Sequence, residues 1–584
     1  MKRTVHLIAG FVWVPMLAGL LALLLAAPVR AQSGAPQPDP SGTSTGDRTT
    51  VTDAGGNAFV TPPPAPGTKA GDPSALAYQA YAAQAKAEPL AGKLADAVGH
   101  LKVGANMNWV LSTGYLVLFM QAGFALLTVG LVRKKNAGHL MMLNFAAYVI
   151  AFIGFFAVGF AIMYGGAAIN GAGPAGIGGT PTLNAAVMLH GKLGILFGKT
   201  GWFLSGSAYD AGVFGLVMFE VVFMETAGYI IVGAICERIT FKAFVLCELF
   251  IGALLYPIFG CWVWGGGWLS QIGNSMHLGH GYVDFAGSTV VHAVGGFCAM
   301  ALAVLLGPRL GKYDKKGRPV AFPGHNIVFV VTGTFILLFG WMGFNPGSTL
   351  AATDLRISII AVNTNLAAIF GAATAMLFWT FKFGKPDISM ACNGMLAGLV
   401  AITAPCAFVN APDACVIGVL AGLLVCVGVL FNEKVLKVDD PCGAVSVHGY
   451  CGWLGGICVG IFADGTYGQG WNGTGTTRYI GTAGSKLMGV TGILHGDPSQ
   501  LVAQVVGSTV CVAWAFGATW VVFKLVNKVV KLRVSPEVEL QGLDVPEFGQ
   551  LAYPEDEVPE PVLAVEAAPR GAPVIGSPAT EAGA

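Results

Sequence analysis

The chain has 584 residues and a net charge of +1, with only 11% charged side chains against 54% hydrophobic ones. Soluble domains run near 25% charged, so the composition excludes an ordinary soluble protein and indicates a polytopic membrane protein. No basic footprint for nucleic acid is present, and the 83 glycines suit membrane helices whose backbones approach closely.

Taken in order, Lys2 and Arg3 precede an apolar run from Leu7 to Ala27 and then Val29-Arg30-Ala31. Residues 1–31 read as a signal peptide cut after Ala31, or, since the run is long, as an uncleaved anchor; in both cases the chain beyond Ala31 emerges outside. Residues 32–104 are rich in Ala, Gly, Pro, Ser and Thr, with a triplet at Pro62 to Pro64, and read as a disordered or partly helical external linker. Within it, Ala75 to Val98 has the composition of a transient helix.

Residues 105–530 form the membrane domain. Eleven apolar runs fall at about 108–132, 141–166, 212–236, 242–264, 286–306, 325–344, 357–381, 388–408, 414–431, 443–463 and 500–526. The breaks at Pro257 and Pro405 are tolerable in such helices. Basic residues concentrate in alternate loops, from Arg133 to Lys135 through Arg309 to Arg318 to Lys524 to Arg533. The other loops hold only Lys192, Lys199, Arg356, Arg478 and Lys486. The positive-inside rule therefore agrees with the leader: N-terminus outside, C-terminus in the cytoplasm, with the chain multi-pass in the inner (plasma) membrane. Residues 531–584 become a cytoplasmic tail, acidic, Pro/Ala-rich and disordered beyond about 554. Of the 12 cysteines, most fall inside apolar runs and read as small apolar filler; Cys406 and Cys415 flank a short external loop that a disulfide could close.

One pattern recurs. DFAGSTVVH spans Asp284 to His292, and DPCGAVSVH spans Asp440 to His448. On an α-helix the spacing of Asp to His is roughly 12 Å, which sets each imidazole well inside an apolar core. Ionisable residues there are expensive and mark function. With eleven spans, the fifth and tenth are equivalent but oppositely directed. The fold expected is all-α, a five-plus-five inverted repeat whose two histidines meet near the midplane.

A neutral imidazole both donates and accepts, and two in contact can share a proton. The pair suits a small passenger with a labile proton. Two histidines without a third ligand make a poor metal site, so no metal or cofactor is expected. Phe219 and Phe223 share one face of the third span, while CWVWGGGW and GWMGFNPGS end the fourth and sixth at the outer surface. These aromatics either bind a cation by their ring faces or form an interfacial belt. No nucleophile–base pair or phosphate loop suggests an enzyme, and PGHN lies in an inner loop without partners.

The runs MQAGFALLTVGLVRKKN, GAICERITF, YPIFGCWVWGGGW, DFAGSTVVHAVGG, GPRLGKY, PGHN, GTFILLFGWMGFNPGS, NGMLAGLVAITAPC and VDDPCGAVSVHGYCG, in this order over about residues 105–555, resemble the ammonium transporter / methylammonium permease / Rhesus protein family. The resemblance implies the ammonium-transporter fold, a homotrimer with one pore per subunit, and nitrogen uptake. By resemblance the outer ammonium site falls on Phe219, Trp264 and Ser348 with Asp284 as the structural and recruiting carboxylate. The gate falls on Phe223 and Phe344, and the pore and proton relay on His292 and His448. The implied cycle recruits ammonium (methylammonium as analogue), removes its proton and conducts ammonia, with the proton relayed separately so that uptake is electrogenic.

Two departures stand out. Glu220 occupies a position where many relatives carry Gln. It either raises local cation affinity or faces a neighbouring subunit, and the second reading is preferred; its spacing from Glu225 argues against an acid pair. SPEVELQGLDVPEFGQLAY resembles the family's cytoplasmic tail but has EFG in place of EHG, which keeps coupling between subunits and weakens the case for a PII-type signal protein at the cytoplasmic face. The alternatives are an ammonium sensor or receptor of the same fold, and a neutral-gas channel for ammonia or carbon dioxide.

Overall fold

The computed structural model describes residues 68–170, 183–189, 194–474 and 489–554; the leader, residues 32–67 of the linker and the tail beyond 554 lie outside the described residues. Helix α1 (Pro73–Ala87) leads directly into α2 (Pro89–Leu131), each opened by a proline. Proline suits that place because its missing N–H is unpaired there anyway. The first membrane helix thus begins at Pro89, inside the stretch expected as linker. Its alanines are strong helix formers, and once the downstream turns are fixed, extending the helix is cheap.

The remaining long helices are α3 (Lys134–Asn170), α4 (Ala211–Ile235), α5 (Phe241–Val263), α7 (Ser288–Leu306), α8 (Ile327–Thr349), α9 (Arg356–Phe383), α11 (Ala411–Leu436), α12 (Val445–Phe462) and α13 (Pro498–Val526), with α6 (Trp268–Met276) as a short surface helix. With α2 they make ten helices long and apolar enough to cross a membrane; α10 (Ile388–Thr403) is shorter and completes the expected eleven. Between α3 and α4 a small hairpin pairs β1 (Ala186–Met188) with β2 (Ile195–Gly198). Pro257 sits just after a π-helical turn at Ile251–Leu255, where the wider winding absorbs its missing donor. Pro405 falls beyond the end of α10.

Packing repeats with the chain. Helix α2 lies along α8. Helix α3 packs on α4 and α5 as α9 packs on α10 and α11, and α2 meets α4 as α8 meets α10. This is the five-plus-five arrangement, closed by α13 against α7 and α12. Glycines set the spacing where the halves join: a Cβ on Gly333 would lie 2.6 Å from the carbonyl oxygen of Gly123, and one on Gly123 2.9 Å from that of Gly333.

At the end opposite Trp264, charges do the joining. Arg309 is buried between Glu237, at the end of α4, and Asp439, just before α12, and Arg133 also pairs with Glu237 at 3.0 Å. Burial alone would raise both carboxyls, but the surrounding guanidinium groups hold each at about 2. The tail forms α14 (Pro536–Gln541) and α15 (Asp544–Phe548) and caps two membrane helices. Asp544 accepts from the Gly138 and His139 N–H groups at 3.0 and 2.8 Å, and Glu547 from Phe241 N–H at 2.8 Å. A carboxylate at a helix N-terminus satisfies orphan donors and complements the dipole. In EFG, Phe548 packs edge-on against Phe241 at 5.0 Å.

Two expectations are corrected here. His325 of PGHN does have partners: its ring nitrogens reach the Val132 carbonyl (2.9 Å) and the Tyr553 hydroxyl (3.0 Å), latching loop to tail. Cys406 and Cys415 are both free; the Cys406 thiol is turned inward and donates to the Thr403 carbonyl at 3.3 Å.

Candidate functional site

The two Asp-to-His segments fold alike. Asp284 Oδ1 accepts from the N–H groups of Gly287 and Ser288 at 2.7 and 3.0 Å. Its Oδ2 accepts from Thr289 N–H (2.8 Å), Thr289 Oγ1 (2.6 Å) and Val290 N–H (3.0 Å). Asp440 in turn accepts from Ala444 and Val445 at 3.0 and 2.7 Å. Each segment turns through a glycine with positive φ three residues after the Asp, Gly287 at 110° and Gly443 at 75°. Each histidine then sits in a π-helical turn, Ser288–Ala293 and Val445–Tyr450. The regular α-helix assumed from the spacing is therefore corrected. The π-turn widens the helix, a feature frequent at functional sites.

The two turns meet. His292 Nδ1 and His448 Nδ1 are 3.2 Å apart and the rings stack at 5.3 Å, both buried. At that distance one nitrogen donates and the other accepts. The approach depends on glycine: a Cβ on Gly296, one turn beyond His292, would lie 2.1 Å from the backbone nitrogen of Gly449. His292 Nε2 is buried without a hydrogen-bond partner.

The sequence-designated aromatics line up with this pair. A cavity of about 400 Å³ opens at the Trp264 end, lined by Phe219, Phe223, Trp264, Asp284 and Ser348 among others. Phe223 stacks on Phe344 at 4.0 Å and also meets Phe219 at 4.5 Å and Trp264 at 6.3 Å. Phe223 and Phe344 are fully buried, so they close the cavity floor. His292 lies behind them, stacked on Phe344 at 5.4 Å and on Trp341 at 5.1 Å. Past His448, a small void of about 20 Å³ leads along Phe124, Tyr229 and Cys442. Cys442 and Asn393 also line a cavity of about 630 Å³ at the Arg309 end. Between the two wide cavities lie the paired phenylalanines, the paired histidines and that small void.

Polar groups at the mouth are fixed by neighbours. Trp264 Nε1 donates to the Asp284 carbonyl at 2.7 Å, which orients the indole over the cavity, and Ser348 Oγ donates to the Phe344 carbonyl at 2.7 Å. That leaves the Ser348 oxygen lone pairs as an acceptor for a cation's N–H. The Asp284 carboxylate borders the cavity but is consumed by capping, so its part is to hold the turn. Among the described residues no group of three or more His, Cys, Asp and Glu gathers as a metal would require.

Glu220 corrects the preferred sequence reading. It does not face outward to another subunit: it is 4% exposed, lines the cavity, and accepts from Tyr164 at 2.7 Å and Tyr256 at 3.4 Å. Its position next to Phe219 was the available signal. Glu225, pointing elsewhere, accepts from Gln121 at 3.0 Å, so the two do not pair. Tyr164 and Tyr256 have no signature in the sequence, since a tyrosine in an apolar run carries no pattern of its own.

The model of the Ammonium Transporter Family matches residues 108–553. Ammonium transporter Amt2 of Archaeoglobus fulgidus is 47% identical over 448 residues, covering 76% of this chain and 87% of its own. Among solved structures, one titled Sensor Amt Protein aligns with a TM-score of 0.64 and 33% identity, covering 77% of this chain and 99% of that one. Saccharomyces cerevisiae Mep2 aligns with a TM-score of 0.60 and 27% identity, over 74% and 88%.

Proposed function

The chain belongs to the ammonium transporter family, and on that premise we propose that it takes up ammonium across the plasma membrane by deprotonating it at the Trp264 end and conducting ammonia past His292 and His448. In this reading Phe219, Trp264 and Ser348 bind the ion. A cation over aromatic faces gains about 2 kcal/mol when desolvated, and the Ser348 oxygen accepts one N–H. Phe223 and Phe344 gate the passage. A bare cation in that apolar slot is heavily penalised, whereas a neutral amine is not. Potassium has no proton to shed and stops at the same barrier.

The observation that carries the reading is the His292–His448 contact in line with the stacked Phe223–Phe344 pair, between two vestibules. The shared hydrogen bond offers a place for a proton to be passed separately from ammonia, which would make uptake electrogenic. The Trp264 end is outside, the leader 1–31 directs export, the linker ahead of α2 lies outside, and the tail is cytoplasmic. Three subunits assemble, each with its own passage, and the capping tail couples them; a PII-type protein at the cytoplasmic face is part of the same proposal.

The test is the current evoked by an ammonium step from purified protein in liposomes on a supported membrane. A saturable current is expected with ammonium and methylammonium and not with potassium. Saturable ammonium binding without any current would instead identify a receptor. Flux of ammonia or carbon dioxide without ion saturation would identify a gas channel.

A further inference from the structure

Deprotonation needs a base, and the outer cavity contains two carboxylates, Asp284 and Glu220. A carboxylate offers about four lone-pair sites. Asp284 already accepts five hydrogen bonds, so it has none free for a proton without dismantling the turn that carries His292. Glu220 accepts one bond on each oxygen, at 2.7 Å from Tyr164 and 3.4 Å from Tyr256. Half of its lone pairs remain. Its hydrogen-bond partners are neutral hydroxyls, and a carboxylate that is 4% exposed without a countercharge is costly. Ammonium relieves that cost twice, first as a cation beside it and then by donating a proton. The histidines cannot serve at this step, because the stacked Phe223–Phe344 pair stands between them and the cavity.

We infer that Glu220 is the group that takes the proton from ammonium in the outer cavity. The inference rests on the transport reading above and assigns its first chemical step. One N–H bond of ammonium breaks and its electron pair stays on nitrogen; an O–H bond forms on Glu220. Neutral ammonia moves on between the phenylalanines. The carboxylic acid must lose the proton before the next ion enters, inward when flux carries current and back to outside water when it does not. Tyr164 and Tyr256 are positioning residues that hold the carboxylate against the cavity wall. The other titratable groups around the site are Cys261 near Tyr164, Asp284, and the cavity-lining Tyr282 and Tyr467. Two of them are already engaged: Tyr282 bonds to Thr289 and Ser508 at 2.7 and 3.1 Å, and Tyr467 donates to Asp354.

The experiment compares wild type, Glu220→Gln, Glu220→Asp and Tyr164→Phe by ammonium-evoked current over a range of pH, with the half-saturation concentration read alongside. Glu220→Gln, which installs the residue many relatives carry, should lower the saturating current and remove its acid limb, and Glu220→Asp should restore part of both. Tyr164→Phe keeps the carboxylate but removes a donor that favours its charged form, so the acid limb of its current should move to higher pH. A Glu220→Gln protein with wild-type saturating current at every pH, or with only a raised half-saturation, overturns the inference, the latter reducing Glu220 to a countercharge. An unmoved acid limb in Tyr164→Phe overturns it even where Glu220→Gln fails to fold. Absence of current from wild type would sink the transport reading instead.

Discussion

Trp264 and Phe219 line the cavity, and Trp264 is held by a hydrogen bond to the segment that carries His292. Replacing it by leucine keeps the apolar bulk but removes the face that tells a cation from a neutral molecule. Trp264→Leu should therefore raise the half-saturation concentration for ammonium more than it lowers the saturating current, read from one concentration series beside wild type. At this scale pattern alone singled out His292, His448, Phe219 and Phe223, while Trp264, Phe344 and Ser348 were assigned by the family resemblance; the structure places all seven around the outer cavity and the histidine pair behind it. Glu220 was not legible, because a lone acid on a helix does not reveal which face it takes. Only the third dimension supplies the hydroxyls of Tyr164 and Tyr256 that turn it inward.

At the scale of elements, the fifth and tenth spans, α7 and α12, carry the centre of the molecule. They can touch through their histidines because Gly296 and Gly449 let the backbones come together. Gly296→Ala puts a methyl where there is no room, and overpacking of that kind costs about 1–3 kcal/mol. The variant should lose several degrees of thermal stability in detergent and most of its current, while Gly517→Ala, on the open face of α13, should do neither. Hydropathy located every span, since twenty apolar residues declare a membrane helix with little help from context. It did not disclose the π-turns at Ser288–Ala293 and Val445–Tyr450. Their extra residue is accommodated by tertiary packing and by the Asp284 and Asp440 caps, none of which has a periodic signature. The extension of α2 back to Pro89 was half legible: Ala75 to Val98 has helical composition, but composition does not say whether such a segment is transient or continuous with the membrane helix.

The whole molecule is tied at its Arg309 end by charge. Glu237 and Asp439 each sit at about 2 in the folded protein, below the values of about 4 they have unfolded. Their contribution, roughly 2–3 kcal/mol each, is complete above about pH 5 and is lost as pH falls through about 2. Thermal unfolding should therefore be level from neutrality to about pH 5 and fall steeply below pH 4. Removing one partner by Arg309→Met should cost about 3–5 kcal/mol at neutral pH, because buried Asp439 loses its salt bridge and Glu237 is left with Arg133 alone, and should flatten the acid-side fall. The inverted repeat could be anticipated from span number and the Asp-to-His echo. The charge cluster could not, since Glu237, Arg309 and Asp439 lie in three separate loops whose meeting depends on the finished fold. The central claim for the assembled protein is that its passage runs through the touching imidazoles. The most direct measurement is the ammonium-evoked current of wild type beside the His292→Ala/His448→Ala double variant at equal protein density. A saturable wild-type current that disappears in the double variant is predicted; wild-type-like current from the double variant would contradict it.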